Sequence, residues 1–247
     1  RIKGGRLGLY PDVPFNGDGT INFSGDITSK QMFTDSTVSD LQVSFLSPEE
    51  RQLFKATVLW RQDTVNGFPE TRSVVVQLIE TDDSVPEETF DISSFCTSQE
   101  HAITFAKYAL KTRQLVDHGI RFQTTPQMAM GLEPGEYFQV ATSTPQPATQ
   151  FAAGARLRNG SIDATGRVTA LDLEDGRYDI QYWRPGTEVI VETNIDVRDG
   201  TVDAPELRGV IFAMSTTNTP QTRTYKLESL TYGEDGLVEL AGSFFFF

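Results

Sequence analysis

The chain contains one stretch with a sustained helical pattern, residues 90–125, and its other apolar runs are short. Those runs are rich in β-branched and aromatic residues and are bounded by Gly, Pro, Asn and Asp, a pattern typical of antiparallel strands joined by turns. They lie at 41–47, 54–62, 72–80, 118–125, 135–142, 177–183 and 188–197. Many short strands with a single helix must bury their apolar faces between sheets. We therefore predict a mostly β (α+β) fold.

Changes in composition along the chain predict three parts. Residues 1–40 are rich in Gly, Pro, Asp, Ser and Thr, which predicts loops with short edge strands. Residues 41–141 predict an α+β unit in which one helix, 97–114, covers a mostly antiparallel sheet. The polar, Pro-interrupted segment 142–150 predicts a linker. Residues 142–247 predict a small all-β barrel or sandwich that continues further in a longer protein.

Turn dipeptides divide this last part into short strands. Dipeptides of Asn or Asp with Gly supply the positive φ angles of tight hairpin turns. The predicted turns are Asn159-Gly160, Asp175-Gly176, Asp199-Gly200 and Asp235-Gly236.

The net charge of -13 limits the partners that such a chain can have. Nucleic-acid binders need Lys and Arg to displace counterions from phosphates, so specific nucleic-acid binding is not expected. No apolar run is long enough to span a membrane. One cysteine rules out an intrachain disulfide, and two histidines leave little for a zinc site.

The only cysteine, Cys96, lies just before the predicted helix, where a helix N-terminus can lower a thiol pKa. Together with His101 it suggests a nucleophile and base, but no third orienting group follows at a recognisable spacing. Thr97 and Glu100 instead predict a capping box. The apolar stripe that follows predicts a packing helix: Ala102, Ile103, Phe105, Ala106, Ala109 and Leu110. We predict a buried structural thiol.

Two acidic patterns also suggest chemistry. Residues 16–23, "NGDGTINF", match the middle of a calcium loop, but the end ligands would be Pro14 and Gly25, so a plain turn is predicted. A glycosidase needs two carboxylates at a set distance, and no pair stands out; Glu88 with Glu100 is one arbitrary choice. We assign no catalytic, cofactor-binding or metal-binding residues and expect no enzyme and no cofactor.

Aromatic side chains on the predicted strands allow a sugar-binding platform or ordinary packing, and packing is the more common use. They are Trp60, Trp183, Tyr182, Tyr137 and Phe138. The run Phe244 to Phe247 alternates between the two faces of a strand, so both faces are expected to be covered by a following domain or a partner chain.

The succession "FCTSQEHAITFAKYAL", "HGIRFQTT" and "LEPGEYFQVA" resembles the tip attachment or host-specificity protein J family of long-tailed bacteriophages. "GSIDATGRVTALDLEDG" is similar to the hairpin that follows in that family, and "TRTYKLESLTYGEDGLVELAG" to its closing hairpin. Upstream, "VSFLSPEERQLFKATVLW" resembles a strand, turn and strand of the family. The likeness covers about residues 38–243. The first forty residues match loosely, and Glu136 stands where the family usually has Asp.

The resemblance implies a structural hub at the distal end of a phage tail, in the virion, assembled as a ring of three copies. Its partners would be the distal tail protein, the tail tube and other tail-tip proteins, with the receptor read by regions outside this chain. An acidic channel would let DNA pass without adhering. Two alternatives remain open: a carbohydrate-binding or glycan-hydrolysing module of a secreted β protein, and a bacterial surface adhesin.

Overall fold

The computed structural model describes residues 2–3, 6–7, 29–63, 67–77, 85–141, 157–161, 167–168, 175–198, 201–203, 209–215 and 222–245. Strands dominate it, which confirms the mostly β prediction. In chain order the strands are β1 Ile2–Lys3, β2 Arg6–Leu7, β3 Gln31–Thr34, β4 Ser39–Phe45, β5 Lys55–Asp63, β6 Pro69–Val76, β7 Glu87–Asp91, β8 His118–Thr124, β9 Tyr137–Ala141, β10 Leu157–Ser161, β11 Arg167–Val168, β12 Gly176–Trp183, β13 Ile190–Arg198, β14 Thr201–Asp203, β15 Ile211–Ser215, β16 Arg223–Tyr232 and β17 Val238–Phe244. The helices are α1 Gln99–Leu115 and α2 Pro126–Ala129.

The first six-stranded sheet has the order β3-β9-β16-β17-β8-β4. Its pairs are antiparallel except β3 with β9, which is parallel. Four aromatic side chains fill its core: Phe33, Phe122, Phe138 and Tyr225. Neighbouring rings in this group lie 5.0 to 6.0 Å apart, within the range of favourable edge and offset contacts. We call this sheet the closing sheet, because the last hairpin of the described chain completes it.

The second six-stranded sheet has the order β10-β15-β12-β13-β14-β11 and is antiparallel throughout. All of its strands come from residues 157–215, between β9 and β16 of the closing sheet. We call it the inserted sheet. It contacts the closing sheet through β3, which lies against β15 and β12.

Helix α1 covers a third, three-stranded sheet with the order β6-β5-β7. Its core is formed by residues of the helix, of β5, of the position just before β5 and of the loop after β7: Phe54, Ala56, Val58, Trp60, Ile92, Cys96, Ala102, Ala106 and Leu110. The predicted apolar stripe therefore faces a sheet. Ile103 is the exception, because it is half-buried and does not belong to this core. The sheet is smaller than predicted, because β8 and β9 belong to the closing sheet instead.

The start of α1 differs from the prediction. Its N-cap residue is Ser98, which makes no side-chain capping hydrogen bond, so the predicted capping box of Thr97 and Glu100 is wrong. With Ser98 at the cap, the third helical residue is His101, which cannot supply the required carboxylate. Cys96 just before the helix and Ala102 in its first turn are buried in the same core.

The strand pairing does not follow the predicted domain boundary at residue 142. The hairpin β16–β17 lies in one sheet with β8 and β9, although it was assigned to the part after residue 142. The linker at 142–150 and the calcium-like loop at 16–23 lie outside the described residues. The three-part division of the chain stays a prediction.

The four predicted turns have different outcomes. Asp235-Gly236 is a turn: Gly236 has a φ of +81° and the turn joins β16 to β17. Asp199-Gly200 lies outside the described residues, so this turn stays a prediction; the flanking residues Arg198 and Thr201 pair with each other. Asn159-Gly160 is not a turn, because both residues pair with β15 inside β10. Asp175-Gly176 starts β12 without a positive φ at the glycine.

The family resemblance also predicts a hairpin within residues 160–176. The described residues of this segment do not pair with one another. β10 and β11, which contribute to this segment, lie at opposite edges of the inserted sheet. Each pairs instead with a later strand, β10 with β15 and β11 with β14.

Gly242 in β17 provides a test of how closely the closing sheet is packed. A Cβ at this position would lie 2.6 Å from the Lys226 carbonyl oxygen and 3.1 Å from Cζ of Phe138. Overpacking against backbone is costly, so Gly242→Ala should lower the free energy of unfolding by about 2 kcal/mol in urea titrations. Gly119→Ala is the matched control, since a Cβ there meets only the Gly242 oxygen, at 3.4 Å. An equal loss in both variants would contradict the expected close contact.

Candidate functional site

The structure separates the cysteine and histidine that first suggested a catalytic pair. Cys96 is buried in the core under α1, which confirms the predicted burial of its thiol. Its S–H donates to the Ser98 carbonyl oxygen at 3.3 Å. His101 is exposed on the first turn of the helix. Because the sulfur faces the core and donates to backbone, this arrangement does not present a nucleophile to a substrate.

Burial of Cys96 can be tested by the rate at which its thiol reacts. A buried thiol reacts only when the structure opens, so we expect Cys96 to react with a disulfide reagent about a hundredfold more slowly in the native chain than in denaturant. Ser94→Cys in a Cys96→Ser background is the matched control, because Ser94 is exposed two residues away. If native Cys96 reacted as fast as that control, the thiol would be accessible and the nucleophile hypothesis would return.

The second histidine, His118, forms a buried cluster that the sequence did not indicate. Its Nδ1–H donates to Oδ1 of Asp117, because a carboxylate can only accept. In the neutral ring Nε2 is then an acceptor, and the hydroxyl of Tyr225 lies 2.9 Å from it. The side chains of His118 and Tyr225 are fully buried. The hydrogen bond between them joins β8 to β16 and is shielded from solvent.

Electrostatics at the cluster favour the neutral hydroxyl. Burial raises the pKa of Tyr225 well above its usual range, and the Asp117 charge raises this pKa further against the opposing charge of Arg223. A tyrosine that holds its proton so firmly is a poor general base at neutral pH. The Asp117–His118–Tyr225 cluster therefore joins β8 to β16 and offers no general base at Tyr225.

The terminal aromatic run packs against this cluster and its surroundings. The ring of Phe244 stacks on His118 with centroids 5.0 Å apart, and Phe245 lies 4.6 Å from the ring of Tyr137. Residues 246–247 lie outside the described residues. Phe245 is buried by this chain itself, whereas Phe244 is half-buried, so the expectation that a following domain or a partner covers the run stays a prediction.

The acidic candidates are not brought together as a glycosidase pair. Both oxygens of Glu88 are held by Arg113 of α1, at 3.1 Å each, and the guanidinium also lies 4.7 Å from the centre of the Phe54 ring. Glu100 is exposed in the first turn of α1. Within the part of the chain that the structure describes, no group of three or more His, Cys, Asp or Glu is placed to hold a metal ion.

The aromatic side chains that allowed a sugar-binding platform are mostly in cores. Trp183 and Phe138 are at most 1% exposed, and Trp60 is 7% exposed. Tyr137 and Tyr182 are half-buried. A binding platform needs exposed ring faces, so these residues favour packing over the carbohydrate-binding alternative.

Exposed aromatic side chains instead flank the end of β5. Phe68 is 77% exposed and Phe95 is 75% exposed. Phe68 lies next to Pro69, and Pro69 pairs with Asp63 at the end of β5. Phe95 lies next to Cys96, whose carbonyl oxygen accepts a hydrogen bond from the Arg61 N–H at 2.9 Å. We call residues 61–63 and 67–72, together with Phe95, the β5–β6 arm.

The charges of the β5–β6 arm are paired within it. Arg61 lies 3.2 Å from Asp63, and Arg72 lies 2.7 Å from Glu70. Exposed pairs of this kind add little stability. They do leave the arm locally neutral on a chain of net charge -13, so a second acidic chain meets little repulsion here.

Within the described ranges, no helix combines the length and apolar character needed to cross a membrane. No protein-family model and no curated protein matches the sequence. Several solved structures match the chain, among them two at low identity. One is a chain from the virion of a native gene transfer agent particle, at 9% identity and a TM-score of 0.45, covering 96% of this chain and 36% of that one. The other is a tail protein from Neisseria meningitidis MC58, at 9% identity and a TM-score of 0.34, covering 92% and 48%. The chain thus spans less than half of each of these two chains.

Proposed function

We propose that this chain is a non-enzymatic structural component of a bacteriophage tail tip: a hub scaffold that assembles as a ring of three copies and supports host attachment and DNA exit. One observation carries the proposal. The segments that resemble the tail-tip family, "HGIRFQTT", "GEYFQVA" and "TRTYKLESLTYGEDGLVELAG", contain four neighbouring strands of one sheet, in the order β9-β16-β17-β8. Motifs far apart in sequence therefore contribute to a single structural unit.

Two further features suit a subunit of an assembly. The β5–β6 arm presents exposed Phe68 and Phe95 on a locally neutral surface, which suits contact with another protein chain. The net charge of -13 suits a wall along which DNA slides without adhering. In the proposed virion the neighbours are the distal tail protein, the tail tube and other tail-tip proteins, with the bacterial receptor contacted outside this chain.

The oligomeric state in solution tests the ring. Light scattering coupled to size exclusion should give three times the mass of one chain over a range of concentrations. Phe68→Ser with Phe95→Ser should shift the protein to monomer while its circular dichroism spectrum stays unchanged, because both side chains are exposed in the single chain and do not support its fold. Cys96→Ser with His101→Ala is the control and should assemble normally.

Copy number in purified virions tests the location. Quantitative mass spectrometry should find three copies per particle, and antibody labelling should place them at the distal end of the tail. A chain that stays monomeric, is absent from virions and cleaves or binds glycans in a screen would refute the proposal in favour of the carbohydrate alternative.

A further inference from the structure

The strand β3 belongs to two cores at once. All four of its residues are buried, between 0 and 5% exposed. Side chains alternate along a strand, so neighbouring residues face opposite sides. Phe33 enters the closing-sheet core, 5.0 Å from the ring of Phe122. Met32 enters a separate cluster with residues of the inserted sheet: Trp183, Ile211 and Ala213, joined by Ala141.

Both ends of β3 are fixed by hydrogen bonds. Before the strand, Lys30 N–H donates to the Tyr137 carbonyl at 2.9 Å, and Lys30 Nζ lies 2.9 Å from Glu136 and 3.4 Å from Glu188. After it, the Thr34 carbonyl accepts from the amides of Thr37 and Val38. Glu136 belongs to the closing-sheet side and Glu188 to the loop between β12 and β13, so the lysine also contacts both units.

A polar bridge accompanies the apolar cluster. The hydroxyl of Thr222 lies 2.9 Å from the side-chain oxygens of Gln139 and of Gln181, one in each unit. Its single hydrogen serves only one acceptor at a time. The five residues of the apolar cluster are each 4% exposed or less. Burial of these five apolar side chains stabilises the contact more than a single shared hydrogen bond does. The apolar contact at Met32 therefore dominates the coupling between the two sheets.

We propose that β3 is a coupling strand: Met32 joins the unfolding of the inserted sheet to that of the closing sheet, so that the two open as one cooperative unit. Within the described contacts, β12 and β15 of the inserted sheet reach the closing sheet at β3. Because β3 pairs with one neighbour, β9, and makes the largest contacts with β12 and β15, its loss would remove the main link between the two units. This device does not depend on the proposed tail-tip function.

Hydrogen exchange of the full chain, followed by mass spectrometry, tests the coupling. In the unaltered chain, peptides from β12 and β15 should show the same opening equilibrium as peptides from β8 and β17. In Met32→Ala the inserted sheet should exchange about tenfold or more faster than the closing sheet, because the cavity removes contacts that join the units. Met130→Ala is the matched control: its side chain is 70% exposed, and its carbonyl, which accepts from Gln31, is retained.

The two tryptophans give an independent readout, since Trp60 lies under α1 and Trp183 at the contact between the six-stranded sheets. In a Trp60→Phe background, the urea midpoint from Trp183 fluorescence should coincide with that from circular dichroism, and Met32→Ala should separate the two. If Met32→Ala fails to fold, Ile211→Val removes one methyl from the same cluster and should give a smaller separation. Equal exchange in both sheets of a folded variant, or separate opening in the unaltered chain, would overturn the proposal.

Discussion

Phe138→Ala is expected to lower the free energy of unfolding by about 3–5 kcal/mol, the largest loss among the substitutions considered. The side chain is fully buried, and its ring lies 5.6 Å from Phe33, 6.0 Å from Phe122 and 5.9 Å from Tyr225. Truncation removes all three ring contacts and leaves a cavity at the centre of the closing sheet. Urea unfolding followed by circular dichroism measures the loss.

The control for Phe138→Ala is Tyr232→Ala, which truncates an aromatic ring outside the β5–β6 arm. The side chain of Tyr232 is 69% exposed, so its truncation should alter stability by no more than about 1 kcal/mol. Comparable losses in the two variants would mean that the aromatic cluster does not hold the closing sheet together.

Tyr225→Phe is expected to reverse its effect on stability with pH. At neutral pH it should cost about 1–2 kcal/mol, because the buried Nε2 of His118 loses its donor. An unfolded tyrosine loses its proton near pH 10, whereas burial raises the pKa of Tyr225 in the folded chain. The folded state then holds more protons above about pH 10, so the stability from this group, complete below that pH, falls by up to about 1.4 kcal/mol per pH unit.

The phenylalanine variant lacks that loss, so its curve of unfolding free energy against pH should cross the curve of the unaltered chain near pH 11. Urea titrations at several pH values measure both curves. Tyr232→Phe is the control, since that side chain is 69% exposed and the variant keeps Tyr225. Parallel curves for Tyr225→Phe and the unaltered chain would show that the hydroxyl ionises freely in the folded state.

Local patterns predicted the strands well, because runs such as 54–62 and 188–197 carry their own β-branched and aromatic residues. Pairing partners were not predictable from those patterns. Asn159-Gly160 has the sequence of a tight turn, yet pairing with β15 holds it inside β10. The last hairpin follows the second group of strands in sequence but pairs with β8 and β9. In both cases contacts between distant segments override the local preference.

Candidate sites were predictable to a similar degree. The apolar stripe of α1 followed from helical spacing, and the buried Cys96 from the absence of an orienting third group beside Cys96 and His101. The capping box did not form, because a shift of one residue at the N-cap replaces Glu100 by His101 at the required position. The His118 cluster was missed because its partner Tyr225 lies 107 residues further along the chain. The adjacent Asp117 was the one local indication of it.

The strand order of the closing sheet has a consequence for synthesis on the ribosome. β8 and β9 are made early but do not touch each other as ladder neighbours; the hairpin β16–β17 lies between them. Until residue 244 has left the exit tunnel, the closing sheet has its outer strands β3, β9, β8 and β4 but lacks the central hairpin β16–β17. The inserted sheet, whose strands all lie between residues 157 and 215, has every partner available sooner. Because Met32 couples the two sheets, a nascent chain stalled after residue 215 should leave both sheets unprotected against exchange, and protection should appear in both together once the β16–β17 hairpin has emerged.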